Sequence, residues 1–281
     1  MSHDVIRARL NLYAVLPNLE DVVREDPEMR ELVSDARVTV KLLVAGGPRA
    51  YVRFANGACS VGRGSGPEAA SAPAGSRAAS SADANAMPSV ILSFASASHL
   101  NNMFDGKSSP IPLWGFNRLG FLKNEFTELS DRMAYYLAPT AELLKHPGYL
   151  AMNTRLTLNT AAFAVPVLLE SDPECRALRH AIGSGTIVLK VLPDGPSVSL
   201  VCGASGVIPV KGELPHPSSL ILMRDMATAN AFLNGELDTF VAAATGEVQI
   251  WGHVKPVDAI ALVLDRIPKY LTPAAEPAAM A

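Results

Sequence analysis

The chain repeats itself, and this limits its fold more than any other feature, because a repeat means one structural plan used twice. Arg9-Leu10-Asn11-Leu12 is followed by Asp26-Pro27-Glu28, Arg30 and Leu32; 146 positions on, from Arg9 to Arg155, stand Arg155-Leu156-Thr157-Leu158, Asp172-Pro173-Glu174, Arg176 and Leu178. Gly47-Pro48 then answers to Gly195-Pro196, Pro88-Ser89 to Pro217-Ser218, Asn101 to Asn230 and Gly106 to Gly235. Each copy closes alike, with Asp131-Arg132, Tyr136-Leu137 and Pro139 matched by Asp265-Arg266, Tyr270-Leu271 and Pro273. Single matches are weak, but their collinear order marks a duplication. Two similar domains are expected, 1–145 and 146–273, divided where Ala138-Pro139-Thr140 and His146-Pro147-Gly148 supply breakers, with 274–281 a disordered tail. The offset drops across 65–87, so the first copy carries an insertion there. It is rich in Ala, Ser and Gly, has almost nothing to bury, and is expected to be a disordered, solvated loop.

At 281 residues and 49% hydrophobic, with 18% charged residues and a formal net charge of -3, the chain is globular rather than disordered. Its best apolar run, Ala161 to Leu169, is short and broken by Pro166, which argues against a spanning helix. The start, Met1-Ser2-His3-Asp4, is wrong for a secretory signal, so a cytoplasmic location is expected. Cys59, Cys175 and Cys202 are scattered and odd in number, which suits small buried side chains better than disulfides. Lacking a Lys/Arg cluster, the chain is a poor nucleic-acid partner and is not expected to dock stably on an anionic membrane; stable membrane insertion is not expected either, and transient membrane contact stays open. No protein partner is indicated.

Asp26-Pro27 and Asp172-Pro173 each place an acceptor at a helix N-cap and a proline at the first helical position. Strands are expected at 38–44, 49–55, 90–95, 186–192, 197–202 and 219–223, where β-branched and large apolar residues run between Gly-Pro turns; short links favour antiparallel pairing. Near the end, Asp225 caps a helix that stops at Gly235, a short helix spans about 238–245, and Glu247 to Trp251 alternates as a strand. Pro256 opens a helix whose Val257, Ile260, Ala261, Leu264 and Ile267 share one face.

In this order, Ile221-Leu222-Met223-Arg224-Asp225, Phe232-Leu233-Asn234-Gly235-Glu236-Leu237-Asp238 and Ala244-Thr245-Gly246-Glu247-Val248-Gln249-Ile250-Trp251-Gly252 resemble the sterol carrier protein type 2 family. The resemblance covers about 184–271 well and 37–139 more loosely. It implies an α+β fold in tandem, each copy an antiparallel, mostly five-stranded sheet covered by helices, with an apolar tunnel for a fatty-acyl, sterol-like or isoprenoid ligand. The tunnel-lining candidates by position are Met223, Met226, Phe232, Leu233, Leu237, Phe240, Val241, Ile260 and Leu264, with Trp251 at the rim. Phe104 and Trp114 are their counterparts in the first copy, where Phe94, Phe116, Phe121 and Phe126 add bulk; that cavity is expected to be smaller or plugged.

Catalytic constellations are missing from the sequence. The six histidines never stand at i, i+4 with an acid between them, Gly62-Arg63-Gly64-Ser65-Gly66 lacks the Lys-Ser/Thr of a phosphate cradle, and Gly203-Ala204-Ser205-Gly206 reads as a hairpin turn. Neighbours on a helix point about 100° apart, so Asp131-Arg132 and Asp265-Arg266 are expected to pair with other elements. The expectation is a non-enzymatic carrier of a hydrophobic small molecule, mainly in the second copy, without cofactor or metal. Its rivals are an accessory scaffold of a lipid-related pathway with closed cavities, and an enzyme acting on a lipid inside the tunnel.

Overall fold

A computed structural model describes residues 1–66 and 87–271. Most of the expected loop at 65–87 and all of the expected tail at 274–281 lie outside the described residues.

Each half begins with a long helical rod. The first runs unbroken over 3–25: α1 (His3–Leu10), a π turn (Asn11–Val15), a 3-10 turn (Leu16–Asn18) and α2 (Leu19–Glu25). The irregular turns fall beside Pro17, whose missing N–H interrupts the i to i−4 ladder. Its counterpart, Pro147–Ser171, is a 25-residue helix that tolerates Pro166 within it. The expected caps then form. Asp26 Oδ1 accepts from the backbone N–H groups of Glu28 (3.0 Å) and Met29 (3.3 Å), and Asp172 Oδ1 accepts from that of Glu174 (2.8 Å).

The first sheet comprises β1 (Val38–Val44), β2 (Arg49–Ala55), β3 (Ala58–Arg63), β4 (Ser89–Phe94) and β5 (Ile111–Trp114), ordered β3-β2-β1-β4-β5. The second comprises β6 (Gly185–Val191), β7 (Ser197–Gly203), β8 (Gly206–Lys211), β9 (Ser219–Met223) and β10 (Val248–Gly252), ordered β8-β7-β6-β9-β10. Strand for strand the plan is the same. Hairpins join the first three strands of each sheet, Ala204-Ser205 making the tight turn between β7 and β8, and Gly203 opposing Gly206.

Purely antiparallel pairing needs one correction per sheet. β1 and β4 are parallel, Val44 opposing Phe94, and so are β6 and β9, Val191 opposing Met223. After two hairpins on one side of the central strand, the chain crosses back to its other side and arrives running the same way. Pro256 lies in the first turn of the helix Val254–Leu264 rather than at its opening; no N–H there has an intrahelical partner to lose.

Two apolar cores result, and the rods serve both. Ala8, Leu12, Leu16 and Leu19 are buried in the first core while Ile6, Leu10 and Ala14 of the same rod are buried in the second. Met152 and Leu156 of the second rod return the exchange in the first core. Polar side chains lock the crossing: Asn18 Nδ2 donates to Thr160 Oγ1 (2.7 Å) and Asn159 Nδ2 to Asp21 Oδ2 (3.0 Å), while Asn230 Nδ2 donates to Asn153 Oδ1 (2.6 Å) and ties the helix Met226–Leu233 to the second rod.

Candidate functional site

Matching the two sheets by register brings equivalent interior positions into view. Phe54 opposes Val38 as Cys202 opposes Gly185, and Phe94 opposes Val44 as Met223 opposes Val191. Counting back from the matched Tyr136 and Tyr270 sets Phe126 against Ile260. Three phenylalanines of the first interior thus become cysteine, methionine and isoleucine in the second. Phe54 and Phe94 are fully buried, and Phe54 meets Phe121 and Phe126 edge-on at centroid separations of 5.3 and 6.3 Å. Cys202, Met223 and Ile260 are buried too, with no such ring cluster among them.

Met226, Phe232 and Leu233 project from the helix Met226–Leu233, whose cap Asp225 accepts from the Thr228 backbone N–H at 2.8 Å. Together with Leu237 and Leu264 they are half-buried against the second core. Phe104 is half-buried against the first. The remaining expected residues stand elsewhere. Val241 is 55% exposed, and Trp251 and Trp114 lie at 61% and 66% on the edge strands β10 and β5, outside any enclosed space. Phe116 is exposed as well, so the first interior is filled by Phe54, Phe94, Phe121 and Phe126 without it. The side chain of Phe240 lies outside the described residues.

Among the described residues, two surface concavities stand out, and neither is lined by the expected tunnel residues. One, of about 310 Å³, opens between the rods and β7–β8 beside Asp21, Arg24, Glu25, Arg155, Asn159 and Lys211. The other, of about 550 Å³, is an open depression beside Glu28, Glu31, Leu32 and Glu128. Asp21, fully buried in the first, is neutralised by Lys211 Nζ (2.6 Å) and by Arg24, while Lys211 also donates to Glu20 Oε2 (2.7 Å) and the Pro17 carbonyl (2.8 Å). Lys211 is almost two hundred residues from Pro17, Glu20 and Asp21 in sequence, and no local motif announces the contact.

The duplicated Arg-Tyr ends find their partners in the helix caps. Tyr136 donates to Asp26 Oδ2 (3.0 Å), with Arg132 at 3.3 Å; Tyr270 donates to Asp172 Oδ2 (2.8 Å), with Arg266 at 3.3 Å. Burial pushes the Asp172 carboxyl up, but the Tyr270 hydroxyl, the Glu174 N–H and the Arg266 charge outweigh it and hold it below the ordinary aspartate value. Burial and the same hydrogen bond push Tyr270 up to about 12. Inside the second core, burial pushes the Cys202 thiol up to about 11, so it stays protonated and un-nucleophilic near neutral pH. Among the described residues no group of three or more His, Cys, Asp or Glu side chains is placed to hold a metal ion, and no helix is long and apolar enough to cross a membrane.

No family model matches the chain, and no curated protein matches it. Solved structures do. Sterol carrier protein 2 from Yarrowia lipolytica (apo form) is 16% identical, covered over 90% of its length by 39% of this chain, with a TM-score of 0.30. The sterol carrier protein domain 2 of Helicoverpa armigera is 14% identical, covered over 87% by 39% of this chain, with a TM-score of 0.32. A ubiquinone synthesis protein, UbiJ-SCP2, is 14% identical, covered over 89% by 37% of this chain, with a TM-score of 0.31. In fold, this chain is similar to sterol carrier protein 2 domains.

Proposed function

We propose that the chain binds a hydrophobic small molecule of fatty-acyl, sterol-like or isoprenoid type and carries it without chemical change, in the interior of the second repeat. The observation that carries this reading is the replacement of Phe54, Phe94 and Phe126 by Cys202, Met223 and Ile260 at equivalent interior positions. The first core is closed by its own rings; the second offers smaller and softer walls, with methionines that adapt to differing shapes. A ligand enters by displacing the half-buried cover of Met226, Phe232, Leu233 and Leu237. Each methylene it buries contributes about 0.8 kcal/mol, so an acyl chain of about a dozen carbons gains on the order of 10 kcal/mol before the costs of ordering it, with no reactive group required.

The rival reading, a scaffold with closed interiors, draws on two concavities whose linings include none of the expected tunnel residues. Titration with dansyl-undecanoic acid decides between them. Binding by the parent protein, weakened more than tenfold in Phe232→Asp and unchanged in Phe104→Asp, supports the carrier and its asymmetry. Equal loss in both variants overturns the asymmetry. No binding, together with a ligand-free mass for protein purified from cells, favours the scaffold.

A further inference from the structure

The chain has two tryptophans, and they occupy the same place in the two halves. Trp114 ends edge strand β5 and Trp251 lies one residue from the end of edge strand β10; each precedes a glycine, Gly115 with φ +85° and Gly252 with φ +87°. A Cβ on Gly115 would stand 2.6 Å from the Ser89 carbonyl oxygen, and one on Gly252 would collide with that of Ser218, so in both halves a close backbone contact with the neighbouring strand fixes the site. Neither indole packs on another ring or under a cation among the described residues. Ile111, Leu113 and Phe116 are exposed close in sequence to Trp114, as are Ile250 and Val254 close to Trp251. A monomer rarely keeps such patches bare in duplicate without a use for them.

Charge identifies the occupant. Residues 106–123 hold Lys107, Arg118 and Lys123 and no acid, although the chain as a whole is slightly acidic. Arg7, Arg24, Arg132, Arg155, Arg224 and Arg266 all reach a carboxylate, whereas the side chains of Lys107, Arg118 and Lys123 have no ion pair or hydrogen bond among the described residues. The sequence near Trp251 is less basic, with Lys255 set against Glu247 and Asp258. A second protein chain adding to the β5 edge meets Pro112, which has no N–H to extend the ladder, and a register shift at Ile91/Leu92. Indole, phenylalanine and unpaired cations side by side are the composition that settles at a bilayer interface.

We propose that the face from Lys107 to Lys123, centred on Trp114, docks on a lipid surface bearing anionic headgroups, and that the Trp251 face is its weaker duplicate. This stands independently of whether the second repeat carries a ligand. Because only two indoles exist, W251F and W114F each leave a single reporter. Emission of W251F should shift to the blue on adding phosphatidylcholine–phosphatidylglycerol vesicles, and the protein should float with them; both effects should fade with phosphatidylcholine alone and at high salt. R118E/K123E, at exposed positions, should keep the parent far-ultraviolet circular dichroism and lose at least about twentyfold in partitioning, roughly fivefold or more for each cation. Absence of both the shift and flotation overturns the proposal, as does equal binding to neutral vesicles. A blue-shifted Trp114 without lipid, with sedimentation that rises with protein concentration, also overturns it by assigning the face to a second copy.

Discussion

Replacing Asp172 by alanine tests the duplicated node that ties the closing segment of each half to its opening one. Asp172 is 1% exposed and serves three donors: the Glu174 N–H at 2.8 Å, the Tyr270 hydroxyl at 2.8 Å and the Arg266 guanidinium at 3.3 Å. Losing the cap costs about 1 kcal/mol. Stranding the buried Tyr270 hydroxyl adds about 1–3 kcal/mol. Arg266 keeps Glu174 at 2.6 Å, and its exposed contact with Asp172 is left out of the sum. The sum is about 2–4 kcal/mol, read as a lower guanidinium midpoint at unchanged slope by circular dichroism at pH 7. Asp172→Asn, which keeps an acceptor for the cap, should cost about 2 kcal/mol. The folded carboxyl titrates below its unfolded value, so its contribution is complete above that value and disappears as pH falls through the folded one. The gap between parent and Asp172→Asn should therefore hold from neutral pH down to about pH 5 and close in acid below about pH 4. A cost under about 1 kcal/mol for Asp172→Ala, or a gap that widens in acid, would refute the reasoning.

Other expectations follow from single observations. Gly252→Ala forces a side chain into left-handed backbone against the Ser218 carbonyl and should cost more than about 2 kcal/mol in thermal unfolding, with Gly115→Ala behaving alike. Cys175 and Cys202 are both pushed up to about 11 by burial, and Cys59 is raised as well, so at pH 8 a disulfide reagent should label the native protein far more slowly than the urea-unfolded chain. Met223→Phe, which restores the ring present at Phe94, should weaken dansyl-undecanoic acid binding at least tenfold; unchanged affinity would remove the second interior from consideration.

How far the sequence could be read depended on whether the signal was local. Val38 to Val44 and Arg49 to Ala55 announce themselves through β-branched and alternating residues, and Asp26, Asp172 and Asp225 through the cap geometry of the next turn. β3 and β8 are short and interrupted by Ser60, Gly62 and Pro209, and hold together by pairing with β2 and β7 rather than by propensity. Parallel pairing of β4 with β1 depends on a crossover whose path no residue pattern encodes. The tryptophan pair escaped because the spacing between the halves changes along the chain: Trp114 and Trp251 are 137 apart, but Gly106 and Gly235 are 129 apart and Tyr136 and Tyr270 are 134 apart. Position in the family-like segments nominated Phe232 and Leu233 as lining but also nominated Val241, which is exposed; such a match finds apolar residues without saying which interior they meet. The exchange of Phe54 for Cys202 emerged only when strand register set the two interiors side by side.

Sharing of the rods makes the two halves one folding unit, and that has a measurable consequence. Ile6 and Leu10 are buried in the second core together with Ala14, although all three precede the first sheet in sequence. A chain restricted to 146–271 loses them. Fully burying an isoleucine or leucine contributes about 1.5–3 kcal/mol each, and the helical face they cover, including the buried Leu158 and Ala162, becomes exposed in turn. A loss of about 4–8 kcal/mol is comparable with the entire stability of an ordinary domain. The isolated second half should therefore show helical circular dichroism without a fixed near-ultraviolet signal, and its unfolding should be broad. Supplying residues 1–145 in trans should restore a sharp transition, since the missing side chains return on the first rod. Should 146–271 alone unfold as cooperatively as the whole chain and at the same denaturant concentration, the shared cores are not what hold it together.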